Sequence, residues 1–300
     1  MKIERMDLGD VGSPEGLVRH ILKLVPNLPI PVPIEELAHQ LDIEEIVDLT
    51  TEGYEGGLIT DVTRSSGTIL VSAAARKGRR RFTVGHELGH FLIPTHKPAK
   101  AGQFLCSRDD MRQWSTKELT GYARMEAEAN RFSAMMLMPP PIMRKYIERF
   151  KDPDLVNIID LAIHFDVSKE PAARAYAEYN EQPIAIAVVK DAQVLRIYRN
   201  SKFPHMYVQQ GQRVPQKSLY YLAKKSVNPT SLQENGAELW VTSDWGKRLP
   251  TLYEQVFRQQ EDFALLLLWT ESASDDEDDD SEENMTSSER LRRRQNNRFR

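Results

Sequence analysis

The pentapeptide His86-Glu87-Leu88-Gly89-His90 constrains this chain more than any other feature. It has the form H-E-x-x-H. Residues four apart on a helix project from nearly the same face, so His86 and His90 can offer two imidazole nitrogens to one metal ion only if this stretch is helical. Glu87 is then placed to reach a water on that metal. Two histidines beside a carboxylate base form the layout of zinc-dependent peptide hydrolysis. The flanks agree with a helix. Phe82, Val84, Leu88, Phe91 and Leu92 make residues 82–92 a mainly buried segment behind the polar Arg79, Arg80 and Arg81. Gly89 costs helix stability against alanine but suits the close approach of another backbone. Pro94 ends the helix.

Two histidines are not a site. A catalytic zinc takes a third protein ligand and keeps one position for water, so another segment must deliver a donor. Residues 122–139, rich in Ala, Met and Glu, form a strong helical pattern with Met125, Ala129, Phe132 and Met136 as its apolar stripe. Glu126 falls beside that stripe and Glu128 on its other border. A carboxylate turned toward a core needs a partner, and a metal would be one. Glu126 is the favoured third ligand and Glu128 the alternative. Asn130, one turn further on, is placed to orient a ligating histidine. In the plainer reading both glutamates are solvated and pair with Arg124 and Arg131.

The segment 81–90, Arg-Phe-Thr-Val-Gly-His-Glu-Leu-Gly-His, and the later Glu126-Ala127-Glu128-Ala129-Asn130-Arg131-Phe132-Ser133-Ala134 with Met136-Leu137-Met138-Pro139 resemble the two signature blocks of the ImmA/IrrE family of metallopeptidases. Ser133 stands where that family usually has alanine. Pro31 to Ala38 is similar to the family's opening helix, and the resemblance covers roughly residues 15–175. It implies a zincin-like α+β fold and maps the third metal ligand onto Glu126. It also implies a narrow protein substrate: a helix-turn-helix transcriptional repressor, cut to release stress or mobile-element genes.

Composition sets outer bounds. The formal net charge of −4 lies wholly in residues 271–300, which hold ten acidic and six basic side chains. The electrically balanced body gives no case for nucleic-acid binding. The single cysteine, Cys106, rules out an internal disulfide framework and fits a reducing compartment. Met1 to Asp7 does not read as a secretory signal, and no run has the apolar length to span a bilayer. A cytoplasmic protein without a membrane partner is expected; its oligomeric state is not set by the sequence.

The expected organisation is a metallopeptidase domain over 1–178, a smaller α+β module over 179–270, and a charged, disordered tail over 271–300. Helices are expected over 15–24 and 34–41. Residues 53–57 read as a turn, and 58–60 and 68–72 as strands. Thr68 to Ser72 is the expected edge on which an extended substrate adds. Residues 94–114 read as an irregular loop shaping a cleft. In it His96 is a further ligand candidate. Cys106 reads as an inert thiol, with approach to the metal in a latent form as the other reading. Residues 155–178 resemble a helix-turn-helix, with Ser168 capping the second helix. Lys169 and Arg174 are offset there by Glu170 and Glu178, which favours packing on the peptidase core over DNA. His164 is then a packing or surface histidine. In the module, strands are expected over 184–189, 194–198, 237–242 and 263–269, with a helix over 218–224. No metal or nucleophile constellation appears in it, so it reads as a sensing or partner-binding module, a region that is GAF-like in one branch of the resembled family. The basic cluster Arg290 to Arg294 offers a weak partner contact.

The function expected is metal-assisted amide hydrolysis. Zinc, with another divalent metal possible, is held by His86, His90 and Glu126, Glu87 is the base, and Tyr122 is a candidate donor to the oxyanion. The rival is a regulatory or toxin–antitoxin-type binding protein on a peptidase fold no longer used in catalysis.

Overall fold

A computed structural model describes residues 2–9, 11–97, 102–107, 109–112, 121–242 and 249–271. The chain divides into two compact units, Met1–Glu181 with Tyr198–Asn200, and Gln182–Ile197 with the residues from Ser201 on. Together they give mixed α+β architecture.

The first unit opens with helices α1 (Pro14–Leu24) and α2 (Ile34–Gln40). Ser13 caps α1 by accepting from the Gly16 N–H, and Pro14 takes the first helical position. Strands β1 (Ile43–Leu49), β2 (Tyr54–Thr60) and β3 (Gly67–Ser72) follow, then the long helix α3 (Lys77–Leu92) and strand β4 (Gln103–Ser107). The four strands form a sheet in the order β1-β3-β2-β4. β3 runs parallel to β1 and antiparallel to β2, and β4 is antiparallel to β2. Helices α4 (Gly121–Leu137), α5 (Pro140–Ile147), α6 (Leu155–His164) and α7 (Lys169–Tyr179) complete the unit. Leu58, Ile69 and Val71 of the sheet share a core with Val84, Leu88 and Phe91 of α3 and Phe132 and Met136 of α4.

Several expectations are corrected here. Thr68 to Ser72 is not an edge: β3 lies between β1 and β2, and the outer strands are β1 and β4. Tyr54 to Gly57 belongs to β2 instead of a turn. The stretch 94–114 contains β4, whose alternate residues Phe104 and Cys106 are buried. Helix α3 begins earlier than Phe82, because Arg79 pairs with Glu55, Arg80 with Glu35 and Asp48, and Arg81 with a Val32 carbonyl. In the helix-turn-helix-like segment Ser168 holds the cap position without a side-chain hydrogen bond, whereas Asp154 caps α6 at the Val156 N–H. Ala172, Ala173, Ala175, Tyr176 and Ala177 of α7 are buried, so most of that helix is spent on packing. His164 stacks on Tyr146 with ring centroids 4.2 Å apart.

The second unit is built on a five-stranded sheet. Its strands are β5 (Ile184–Lys190), β6 (Gln193–Arg199), β7 (Gln233–Asn235), β8 (Thr251–Arg258) and β9 (Phe263–Glu271), in the order β6-β5-β9-β8-β7. Asp191 and Ala192 between β5 and β6, and Glu261 and Asp262 between β8 and β9, all have positive φ. The two-residue β5–β6 loop of that kind matches the right-handed twist of the strands it joins. Residues 237–242 are not a strand: Ala237–Leu239 is a 3-10 turn that seats buried Trp240, and only Leu219–Tyr221 of the expected helix forms a helical turn. Residues 272–300, with the expected disordered tail and Arg290 to Arg294, lie outside the described residues. No helix among the described residues is long and apolar enough to cross a membrane.

Candidate metal centre

Helices α3 and α4 carry the site, and their approach is close because of what the sequence omits. A Cβ on Gly89 would stand 3.1 Å from Phe132 Cδ1 and 3.3 Å from the Ala129 Cα. Ser133, the departure from the family pattern, is buried and donates to the Phe82 carbonyl at 2.7 Å. Gly56 of β2 matters for the same steric reason: a Cβ there would collide with Thr83 Cγ2 and stand 2.7 Å from Glu87 Oε1. The bare backbone of β2 is what lets the Glu87 carboxylate lie against the sheet.

Four buried side chains converge. The ligating atoms of His86, His90, Cys106 and Glu126 all lie within 4.8 Å of one another. His86 Nε2 and His90 Nε2 are 3.1 Å apart, and Glu126 approaches them at 3.2 and 3.4 Å. Cys106 Sγ is 3.8 Å from His90 Nε2.

The surrounding hydrogen bonds fix where the imidazole protons sit. Asn130 Nδ2 donates to the Asp110 carbonyl at 2.9 Å, which turns Asn130 Oδ1 toward His86 Nδ1, also at 2.9 Å. That oxygen only accepts, so His86 Nδ1 carries a proton. Behind His90, His96 Nε2 faces Glu128 Oε2 at 3.1 Å and His96 Nδ1 faces His90 Nδ1 at 3.0 Å. The carboxylate accepts a hydrogen bond from His96 Nε2–H, so in the neutral ring His96 Nδ1 accepts and His90 Nδ1 donates. Both Nε2 atoms therefore direct lone pairs at each other and at the Glu126 carboxylate. With both rings neutral, two bare Nε2 atoms face each other, a carboxylate and a thiol, and a metal ion satisfies all of them at once.

The charge balance points the same way. Burial works to lower His86, but the Glu126 and Glu87 carboxylates outweigh it and hold His86 above its ordinary value. Burial pushes His90 down to about 4 and Glu87 up to about 8. Burial also works to raise Glu126, yet hydrogen bonds and charge from His86 and His90 hold it below the usual carboxylate range. Both carboxylate oxygens of Glu87 and Oε2 of Glu126 are buried without a hydrogen-bond partner of normal geometry. Buried carboxylates left this way are costly, and a divalent ion would relieve the cost.

Of the residues singled out from sequence, the structure brings His86, Glu87, His90, Glu126 and Asn130 together. Glu128 is outside the converging set. It pairs with Arg124 at 2.8 Å and with His96, while Arg131 pairs with Glu15. His96 is also outside that set, behind His90. Arg64 holds it there by donating to the His90 carbonyl at 3.3 Å, the Ile93 carbonyl at 3.1 Å and the His96 carbonyl. Phe104 stacks on the His90 ring at 4.8 Å. Cys106 lies within the converging set. Its thiol is pushed well above its ordinary value by burial and then by Glu87 and Glu126. Tyr122, half exposed, has its phenol raised by burial, then by Glu126, Asp110 and Cys106. Gly56, Arg64 and Phe104 were not singled out. Only the alternation of Phe104 with Cys106 was a usable signal for the last of these.

Residues 47–176 match the family model described as the IrrE N-terminal-like domain. This part of the chain is similar to the ImmA/IrrE family. The matched region runs from within β1 to near the end of α7 and includes every converging residue. The chain is also 31% identical over 120 residues to the radiation response metalloprotease IrrE of Deinococcus radiodurans. That similarity covers 40% of this chain and 34% of the relative, so the chain spans about a third of the length of the curated relative it matches.

Proposed function

We propose that this chain is a zinc-dependent endopeptidase, with His86, His90 and Glu126 as metal ligands and Glu87 as the general base. The observation that carries the reading is the pair of Nε2 lone pairs facing each other and Glu126, beside a buried Glu87 whose oxygens have no partner. A zinc ion bound there supplies Lewis acidity toward water and toward a scissile carbonyl.

The protein's own groups do the rest. Glu87 takes a proton from the attacking water and returns it to the leaving amine. Asn130 and His96 keep the two ligand rings in one tautomer and one orientation. β4, an outer strand of the sheet among the described residues, offers backbone groups to an extended peptide, the role first expected of β3. Tyr122 is the candidate donor to the oxyanion. The substrate proposed is a helix-turn-helix transcriptional repressor in stress or mobile-element control, which rests on the family resemblance. The second unit is proposed to sense a ligand or bind a partner, and the protein to work in the cytoplasm.

The test is metal analysis together with cleavage of the repressor encoded beside this gene. One zinc per chain and a single cut, both lost in Glu126→Ala, are expected. Bound metal with no cleavage of that or any other repressor would instead favour the regulatory binding protein.

A further inference from the structure

Cys106 is the one member of the converging set to which the mechanism above gives no task. Its position is built. Alternation along β4 turns Phe104 and Cys106 inward, and Cys106 pairs with the bare Gly56 on β2. The register shifts between Tyr54 and Gly56, opposite Ser107 and Cys106, the kind of irregularity that re-aims a side chain beside a site. Glu87, fully buried and without a hydrogen-bond partner of normal geometry, packs against that same Gly56 and bears on the Cys106 thiol.

The spacings match a four-ligand cage. Tetrahedral zinc with nitrogen or oxygen ligands at about 2.05 Å and sulfur at about 2.3 Å has edges of about 3.3 Å between light atoms and about 3.6 Å from nitrogen to sulfur. The separations present are 3.1 Å between the two Nε2 atoms, 3.2 Å from His86 to one Glu126 oxygen, 3.4 Å from His90 to the other, and 3.8 Å from His90 to Cys106, and one ligand atom from each of the four residues lies within 4.8 Å of the rest. A catalytic zinc keeps its fourth vertex for water, whereas a closed set of four protein ligands does not. Here sulfur stands near that vertex, on an outer strand of the sheet, where strand addition would act on it directly.

Resting on the metal site proposed above, we propose that Cys106 is the fourth protein ligand of the resting protein, closing the site until β4 shifts and the sulfur leaves.

Cobalt(II) substitution of the full chain tests this without an activity assay. The wild-type protein is expected to show a thiolate-to-cobalt charge-transfer band in the near ultraviolet, and Cys106→Ser and Cys106→Ala to lose it while keeping visible cobalt bands. Because Cys106 is the only cysteine in the chain, the band has one possible source. Acetohydroxamate, which needs an open vertex, should perturb the visible spectrum of both variants and leave the wild type unchanged. Stoichiometric cobalt without the band in the wild type, or equal perturbation of all three proteins, would overturn the role of Cys106 and leave the three-ligand site standing. Failure of all three to bind cobalt would remove the site itself and this proposal with it.

Discussion

Glu87 in the first unit and Glu254 in the second are both fully buried carboxylates, and the fold treats them in opposite ways. Glu254 accepts from Ser218 Oγ, from the Leu219 N–H at 3.3 Å and from Asn235 Nδ2 at 2.7 Å. It is a finished network that ties β8 to β7 and to the turn at Ser218 and Leu219. Glu87 has no hydrogen-bond partner of normal geometry on either oxygen; the Cys106 thiol bears on it, and the bare backbone of Gly56 lies against it. The contrast teaches how to read a buried charge. A satisfied one belongs to the architecture, and an unsatisfied one marks where something outside the chain must enter.

That comparison can be broken in several ways. The largest effect is expected at Glu87→Gln, which should keep the metal and lower cleavage roughly 10²–10⁴-fold, the worth of a general base. Loss of metal with retained cleavage would reverse the roles. Glu126→Ala should weaken metal retention far more than Glu128→Ala. Glu128 acts only through His96, and partners behind a ligand typically change affinity by roughly 10–100-fold. Competition with a chelator measures both, and equal or inverted losses would move the assignment to Glu128. Glu254→Ala should cost the second unit about 1–3 kcal/mol, because Ser218 and Asn235 lose their acceptor, and should leave metal content unchanged. Denaturant titration with metal analysis checks this; a metal-deficient variant would mean that Glu254 is not merely architectural. Gly56→Ala should cost about 1–3 kcal/mol through overpacking against Thr83 and Glu87, with activity falling further than stability does. The smallest effect is expected from ending the chain at Glu271. Composition predicts a melting temperature and turnover within error of the full chain, and a clear drop in either would show that the tail packs.

What the sequence made legible follows from how local the information was. The metal helix and its partner were readable because ligand spacing, apolar period and the stop at Pro94 all lie within one segment. The side of α4 that holds Glu126 was readable from helical phase alone. Strand order was not. Nothing within Thr68 to Ser72 records that β1 covers one side of it, and β1 itself, Ile43 to Leu49, buries only one residue fully, so its acidic run carries no strand period. Residues 237–242 misled for a related reason: their apolar side chains serve a core around Trp240 and not a ladder. His96 and Cys106 were legible as candidates near the metal but not in the positions they take. Arg64, gripping carbonyls more than twenty-five residues away, places the first, and pairing with Gly56 places the second.

The central claim is that the unsatisfied donors of the first unit are a metal site. Its most direct measurement is thermal unfolding of the full chain, with zinc and after chelation, alongside metal content by mass spectrometry. The account predicts one ion per chain and a melting temperature that rises with free zinc, equivalent to about 2.7 kcal/mol at a hundredfold excess over Kd; Glu126→Ala should abolish the rise and Glu254→Ala should not. A wild-type protein that binds no ion in stoichiometric amount and melts identically with zinc and after chelation would contradict the claim.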